Sequence, residues 1–198
     1  VIDVRPGVSQ AAANWIWLAP GDSFESAIFI GEPASHTLAA LRLHVERVMA
    51  AAPATAWLPA EIGDSQVDWA YVDLDYVRRQ DGSLATLCRA LKQALRRDGQ
   101  LCLASRASDG RIHSRLLAHW RMNRALGCAQ HAGFTRVRRY HAVPDPDAPI
   151  TLVPASRDST TAYELLSEPV PRREMRLRIA GSALYPLLFR GYLCLCSA

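Results

Sequence analysis

Lysine is almost missing from this chain of 198 residues: of 23 basic side chains, Lys92 is the only one that is not Arg. Long apolar runs are missing too, and nothing approaches the roughly 18 uninterrupted residues that a membrane-spanning helix needs. The N-terminus lacks the basic-then-apolar layout of a secretory signal. Cysteine is sparse and odd in number, with five scattered at Cys88, Cys102, Cys128, Cys194 and Cys196. That count argues against a disulfide framework and reads as reduced thiols in a cytoplasmic protein. No two His have HxxxH or HExxH spacing, and no Cys–His pair is placed like a zinc site, so no metal is expected. Cys194 and Cys196 fall on one face of a strand, where two small apolar residues of a core are the better account. What remains is 49% hydrophobic and 21% charged, the composition of a globular chain rather than a disordered one.

The net charge of +4 conceals a division. Residues 1–88 carry 5 basic and 11 acidic side chains, residues 89–139 carry 12 and 2, and residues 140–198 carry 6 of each. A basic block therefore lies inside a nearly neutral chain. It suits an anionic ligand or a protein partner over region 89–139. No nucleic-acid motif accompanies it, and aromatics are limited to Trp120 and Phe134 within it and Tyr140 just after it, so nucleic acid stays an open but unsupported partner. Trp15, Trp17, Trp57 and Trp69 belong to the acidic half and read as core or pocket lining.

Local patterning points to an α/β chain. Val67 to Leu74 reads as a buried strand ending in acidic residues. Gly82-Ser83 opens a helix with Ser83 as N-cap. Its stripe is Leu84, Leu87, Cys88, Leu91 and Leu95; Arg96 and Arg97 fall in its last turn, and Asp98-Gly99 is its stop. Leu101 to Ala104 is the next strand. Strand, helix and strand in so short a span predict a right-handed βαβ unit and a parallel sheet.

Upstream, Ser26 to Gly31 reads as a strand and Ala34 to Leu43 as a helix. His44 to Ala52 and Thr55 to Leu58 are weaker strands divided by Pro53. Downstream, 111–131 reads as a helix with Leu116, Leu117, Trp120 and Leu126 as its apolar members. A strand follows over 134–143, in which Arg136 and Arg138 point outward and Val137 inward. The prolines of 144–154 predict an extended connection. Residues 159–166 and 175–187 are short helices, the second checked by Pro186, and 192–196 is a closing strand. One domain over 1–198 is expected, with 1–25 an N-terminal extension and 141–174 a Pro-rich insertion.

Three stretches carry a resemblance. Val67-Asp68-Trp69-Ala70-Tyr71-Val72-Asp73, the run Leu95-Arg96-Arg97-Asp98-Gly99-Gln100-Leu101-Cys102-Leu103, and Ala132-Gly133-Phe134 leading to Tyr140 together resemble the second half of class I S-adenosylmethionine-dependent methyltransferases. The resemblance spans about 26–197. It implies a Rossmann-like, seven-stranded, mostly parallel sheet with helices on both faces, and S-adenosylmethionine as cofactor. On that alignment the glycine-rich cofactor turn reads Gly31-Glu32-Pro33-Ala34-Ser35, with only the first glycine present. Phe29 stands two residues before it where the family carries an acid. The ribose acid is missing near Val48 to Pro53, and the adenine-facing acid is missing near Ala54 to Trp57. A second frame takes Val1 to Gly7 as the first strand and turn, which makes Glu32 the ribose acid.

Asp73, Asp75 and His36 are the candidates for catalysis, because carboxyl ends of parallel strands are where open α/β sheets bind ligands. Gly31, Glu32, Ser35 and Asp73 are the candidates for the cofactor. Asp73 has an equally plain reading as the cap of the following turn. His113, His119, His131 and His141 are further general-base types with no spacing to support them. Two functions stay open: a methyltransferase acting on a small molecule, glycan or peptide in a biosynthetic pathway, or a methyltransferase-fold protein that has lost catalysis and serves as a binding or scaffolding subunit through its Arg-rich face.

Overall fold

The computed structural model describes residues 24–50, 67–80, 83–143, 146, 149, 151–166 and 173–198. Seven strands form one sheet: β1 (Phe24–Ile30), β2 (Val45–Ala50), β3 (Val67–Asp73), β4 (Leu95–Arg106), β5 (Thr135–Val143), β6 (Thr151–Pro154) and β7 (Gly191–Ser197). Their spatial order is β2-β1-β3-β4-β7-β5-β6. Strands β2, β1, β3 and β4 are parallel, whereas β7 runs antiparallel to both β4 and β5, and β6 antiparallel to β5. The expected mostly parallel sheet is therefore a mixed one, its ladders divided evenly between the two kinds. Residues 144–150 are too few for the crossover of a dozen or more that a parallel partner would need, so β6 returns beside β5 antiparallel.

Among the described residues the α-helices are α1 (His36–His44), α2 (Leu74–Arg79), α3 (Leu84–Ala94), α4 (Ile112–His131), α5 (Arg157–Leu166) and α6 (Arg173–Ala180). Ser35 caps α1 by accepting the Leu38 N–H at 3.1 Å, and Ser83 caps α3 by accepting that of Thr86. On one sheet face Ile28, Ile30, Ala70, Val72, Leu101 and Leu103 pack beneath α2, α3 and α4. On the other, Ala27, Phe29, Trp69, Tyr71, Leu193 and Leu195 meet Leu38 and Leu41 of α1. Alternation along β7 sends Cys194 and Cys196 to the first face, both buried, with their Sγ atoms 3.8 Å apart.

Several local expectations change. Helix α3 stops at Ala94, so Arg96, Arg97, Asp98 and Gly99 belong to β4 and not to a helix end. A register shift between Val67 and Trp69 admits them, and the Arg96 guanidinium crosses to Asp68 at 2.7 Å and Glu25 at 3.1 Å. Helix α2 follows β3 directly and was not legible, being less than two turns long and capped from within the strand by Asp73.

Helix α4 buries Ala118, Met122, Ala125, Leu126 and Ala129; small residues let it approach the sheet closely. Leu116, Leu117 and Trp120 lie exposed on its outer flank, with the Arg124 guanidinium 5.6 Å from the Trp120 ring. Arg136 has φ 47° at a register shift between Thr135 and Arg138, so the expected alternation of Arg136, Val137 and Arg138 is broken by a bulge. The 175–187 helix ends at Ala180, and Pro186 sits in a separate 3₁₀ turn, Tyr185–Leu188. Val1 to Gly7, Trp15, Trp17, Thr55 to Leu58 and Gly82 lie outside the described residues.

Candidate functional site

The chain leaves β1 for β2 on one side and returns to β3 on the other, so the strand order reverses between β1 and β3. Crevices at the carboxyl ends of such a switch point are where open α/β sheets take ligands. Ile28, Phe29 and Ile30 pair directly with Ala70, Tyr71 and Val72. The second frame, which takes Val1 to Gly7 as the first strand and makes Glu32 the ribose acid, lies outside the described residues. Glu32 follows β1, exposed, with its carboxylate 3.6 Å from Arg79.

Gly31 is the residue that opens the turn, and the space beside it is filled. The Phe29 ring, 1% exposed, stacks on Tyr71 with centroids 5.3 Å apart and planes 3° from parallel. A Cβ at Gly31 would meet that ring at 2.7 Å and the Asp73 Cβ at 3.4 Å. The glycine thus accommodates an aromatic side chain of its own strand. Beyond it, Pro33 and Ala34 stand where a cofactor cradle needs bare backbone, and Ser35 spends its hydroxyl on the α1 cap. β2 ends on Ala50, and none of the described residues places a carboxylate at its tip. Among the described residues, the groups at this crevice do not fit S-adenosylmethionine held by the family's contacts.

Asp73 and Asp75 come together at the tip of β3, each already engaged. Asp73 Oδ1 accepts the N–H groups of Asp75 at 2.8 Å and Tyr76 at 3.1 Å, which is the cap of α2. Its Oδ2 lies 3.9 Å from Arg106. Burial holds the Asp73 carboxyl above its ordinary range, opposed by the Tyr76 N–H and reinforced by the Asp75 charge beside it. Asp75 accepts the Arg106 N–H at 3.1 Å and an ion-paired bond from Arg121, the Asp75 and Arg121 side chains being mostly shielded. This clamp ties α2, β4 and α4 together across 46 positions of sequence, so no linear spacing announces Arg121 as the partner. Asp75→Asn is expected to lower stability by about 1.5–3 kcal/mol, the worth of a bond to a charged group, as read by urea unfolding. A change within error would mean that the clamp holds nothing. His36 is exposed at the first residue of α1.

The basic block divides into engaged and outward groups. Arg96, Arg106, Arg111 and Arg121 have carboxylate partners, Lys92 lies over Phe134, and Arg139 donates to Asn123. Among the described residues no group of three His, Cys, Asp or Glu is placed to hold a metal ion, and no helix is long and apolar enough to cross a membrane.

No protein-family model matches this chain, and no curated protein matches it by sequence. Solved structures do. An S-adenosylmethionine-dependent methyltransferase from Archaeoglobus fulgidus is 11% identical over 88% of this chain and 86% of that one, with a TM-score of 0.52. A geranyl diphosphate C-methyltransferase from Streptomyces coelicolor, in complex with Mg²⁺, geranyl diphosphate and S-adenosylhomocysteine, is 11% identical over 95% and 79%, with a TM-score of 0.48. A phosphoethanolamine N-methyltransferase from Haemonchus contortus is 9% identical over 93% of this chain and 51% of its own, with a TM-score of 0.49. At such identities the likeness is one of architecture, and fold alone does not carry activity. Sheet, helices and the Archaeoglobus likeness agree on one conclusion: this chain has a class I methyltransferase-like α/β fold.

Proposed function

We propose that the protein is a catalytically inactive member of this architecture that works as a binding or scaffolding subunit. The observation that carries the reading is the Phe29 ring, buried against Tyr71 beside Gly31 where the resemblance calls for an acid. A cofactor held there would have to displace a fully packed aromatic pair and would find, among the described residues, no carboxylate at the β2 tip for its ribose. The outward arginines of 89–139 supply a surface for an acidic protein partner or an anionic ligand.

A second reading has one observation in its favour. Asp73 is a buried carboxyl with a raised pKa at the tip of a parallel strand, and that combination marks general bases. On this reading the protein is a methyltransferase acting on a small molecule, glycan or peptide. Calorimetric titration with S-adenosylmethionine and with S-adenosylhomocysteine separates the two. The scaffold reading expects no heat and no thermal shift at millimolar ligand. Micromolar binding of either compound would overturn it and return Asp73 to the catalytic role.

A further inference from the structure

A hollow of about 210 Å³ opens further along the same edge of the sheet, beside the start of β7 and the end of β5. Arg115 of α4, Arg176 of α6 and Arg190 ahead of β7 converge on it, with Tyr163, Leu188 and Phe189 as its aromatic and apolar wall. Its charges do not balance. Arg176 is neutralised by Glu164, 1% exposed, through a two-pronged pair at 2.7 and 2.5 Å. Arg115 has no carboxylate among the described residues: its Nη1 donates to the Leu187 carbonyl at 2.8 Å, and its Nε is buried with no hydrogen-bond partner. Arg190 makes no ion pair among the described residues, and its guanidinium lies over Gly110, where a Cβ would meet Nη2 at 2.7 Å. Burial, and the positive charges of Arg190 and Arg176, hold the Arg115 guanidinium below its ordinary pKa.

Two guanidiniums with no carboxylate partner among the described residues face one hollow and repel each other, and an unpaired buried donor costs free energy. Both costs disappear if an anion occupies the space. We propose that this hollow binds the phosphate group of an organic phosphate monoester. Two net positive charges match a dianion. The planar forks of Arg115 and Arg190 suit phosphate oxygens, and the Nε–H of Arg115 is the donor left over for them. The volume is below that of a site that swallows a drug-sized molecule, so it takes a headgroup. The wall formed by Leu188 and Phe189 gives the apolar part of the ester a surface to rest against. The proposal does not rest on the state of the cofactor crevice.

Titration of the whole protein with phenyl phosphate, inorganic phosphate and benzoate at low ionic strength tests it. Phenyl phosphate should bind more tightly than either of the others, since it alone supplies both the dianion and the apolar group. Arg190→Gln and Arg115→Gln should each weaken it by about tenfold or more, whereas Arg47→Gln, exposed on β2 at the far edge of the sheet, should leave it unchanged. Arg190 is exposed, so its variant remains informative even if Arg115→Gln fails to fold. Inorganic phosphate binding as tightly as phenyl phosphate would reduce the site to one for the free ion and overturn the ester assignment. Absence of binding, or equal weakening by Arg47→Gln, would overturn the site itself. None of the probes carries an adenosyl group, so these outcomes are independent of the S-adenosylmethionine titration.

Discussion

Unfolding free energy should fall as pH is lowered from about 6.5 toward about 3, and most of that loss should trace to His141. The ring is 2% exposed, stacks on Phe189 at 4.1 Å, and meets Tyr185 and Tyr192 edge-on. Neither ring nitrogen has a hydrogen-bond partner. Burial, with a smaller contribution from the nearby charge of His119, pushes its pKa down from 6.5 to about 3. In the unfolded chain the imidazole takes up its proton near pH 6.5, whereas in the folded protein it resists until about pH 3. Below 6.5 the unfolded state therefore binds more protons, and stability rises with pH across that window. A protonated unfolded ring set against a neutral folded one is worth roughly 5 kcal/mol across the whole window, comparable with the entire stability of many domains.

Asp73 acts with the opposite sign. Its raised pKa means that the folded state takes up a proton first as pH drops, which restores some stability in the carboxylate range. The clean comparison is therefore between the wild type and His141→Phe, by urea unfolding at successive pH values. The variant should keep its stability from about pH 6.5 to about 4.5 while the wild type loses it. Parallel curves would show that His141 is not the titrating group.

Phe29→Ala should cost about 3–5 kcal/mol, the usual range for deleting a large aromatic side chain from a core. The ring is in contact with Tyr71 and lies under the turn at Gly31, so its removal leaves a cavity that the rigid central strands cannot close. Thermal or urea unfolding reads this directly. A loss under about 1 kcal/mol would mean that the crevice collapses easily, and the claim that Phe29 blocks a cofactor would fail with it.

Much of the architecture was legible because buried strands and amphipathic helices leave periodic marks. The βαβ unit from Val67 to Ala104, the strand at Ser26 to Gly31, the helix over 111–131 and the closing strand were all readable in that way. Errors fell where tertiary contacts outweighed local pattern. Arg96 and Arg97 look like a helix end, yet the Arg96 pairs with Asp68 and Glu25 draw this stretch into β4. Leu116, Leu117 and Trp120 look like a core face, yet a helix that must sit close to the sheet turns its alanines inward. Of the site, Gly31 and Asp73 were identifiable from their positions after strands, because strand tips are defined by local sequence. Arg115, Arg176 and Arg190 were not, being brought together from α4, α6 and the approach to β7.

Composition and periodicity alone establish an α/β chain with a βαβ centre, because each of these is written within a few consecutive residues; a turn at Gly31 short of a cofactor cradle's glycines is what the resemblance implies. Three features needed the folded chain: the placing of β7 between β4 and β5, the Phe29 ring set beside Gly31, and two arginines around a hollow with no carboxylate partner among the described residues. Each is a relation between distant segments, decided by which surfaces pack and which charges find partners, and neither quantity is encoded in local spacing.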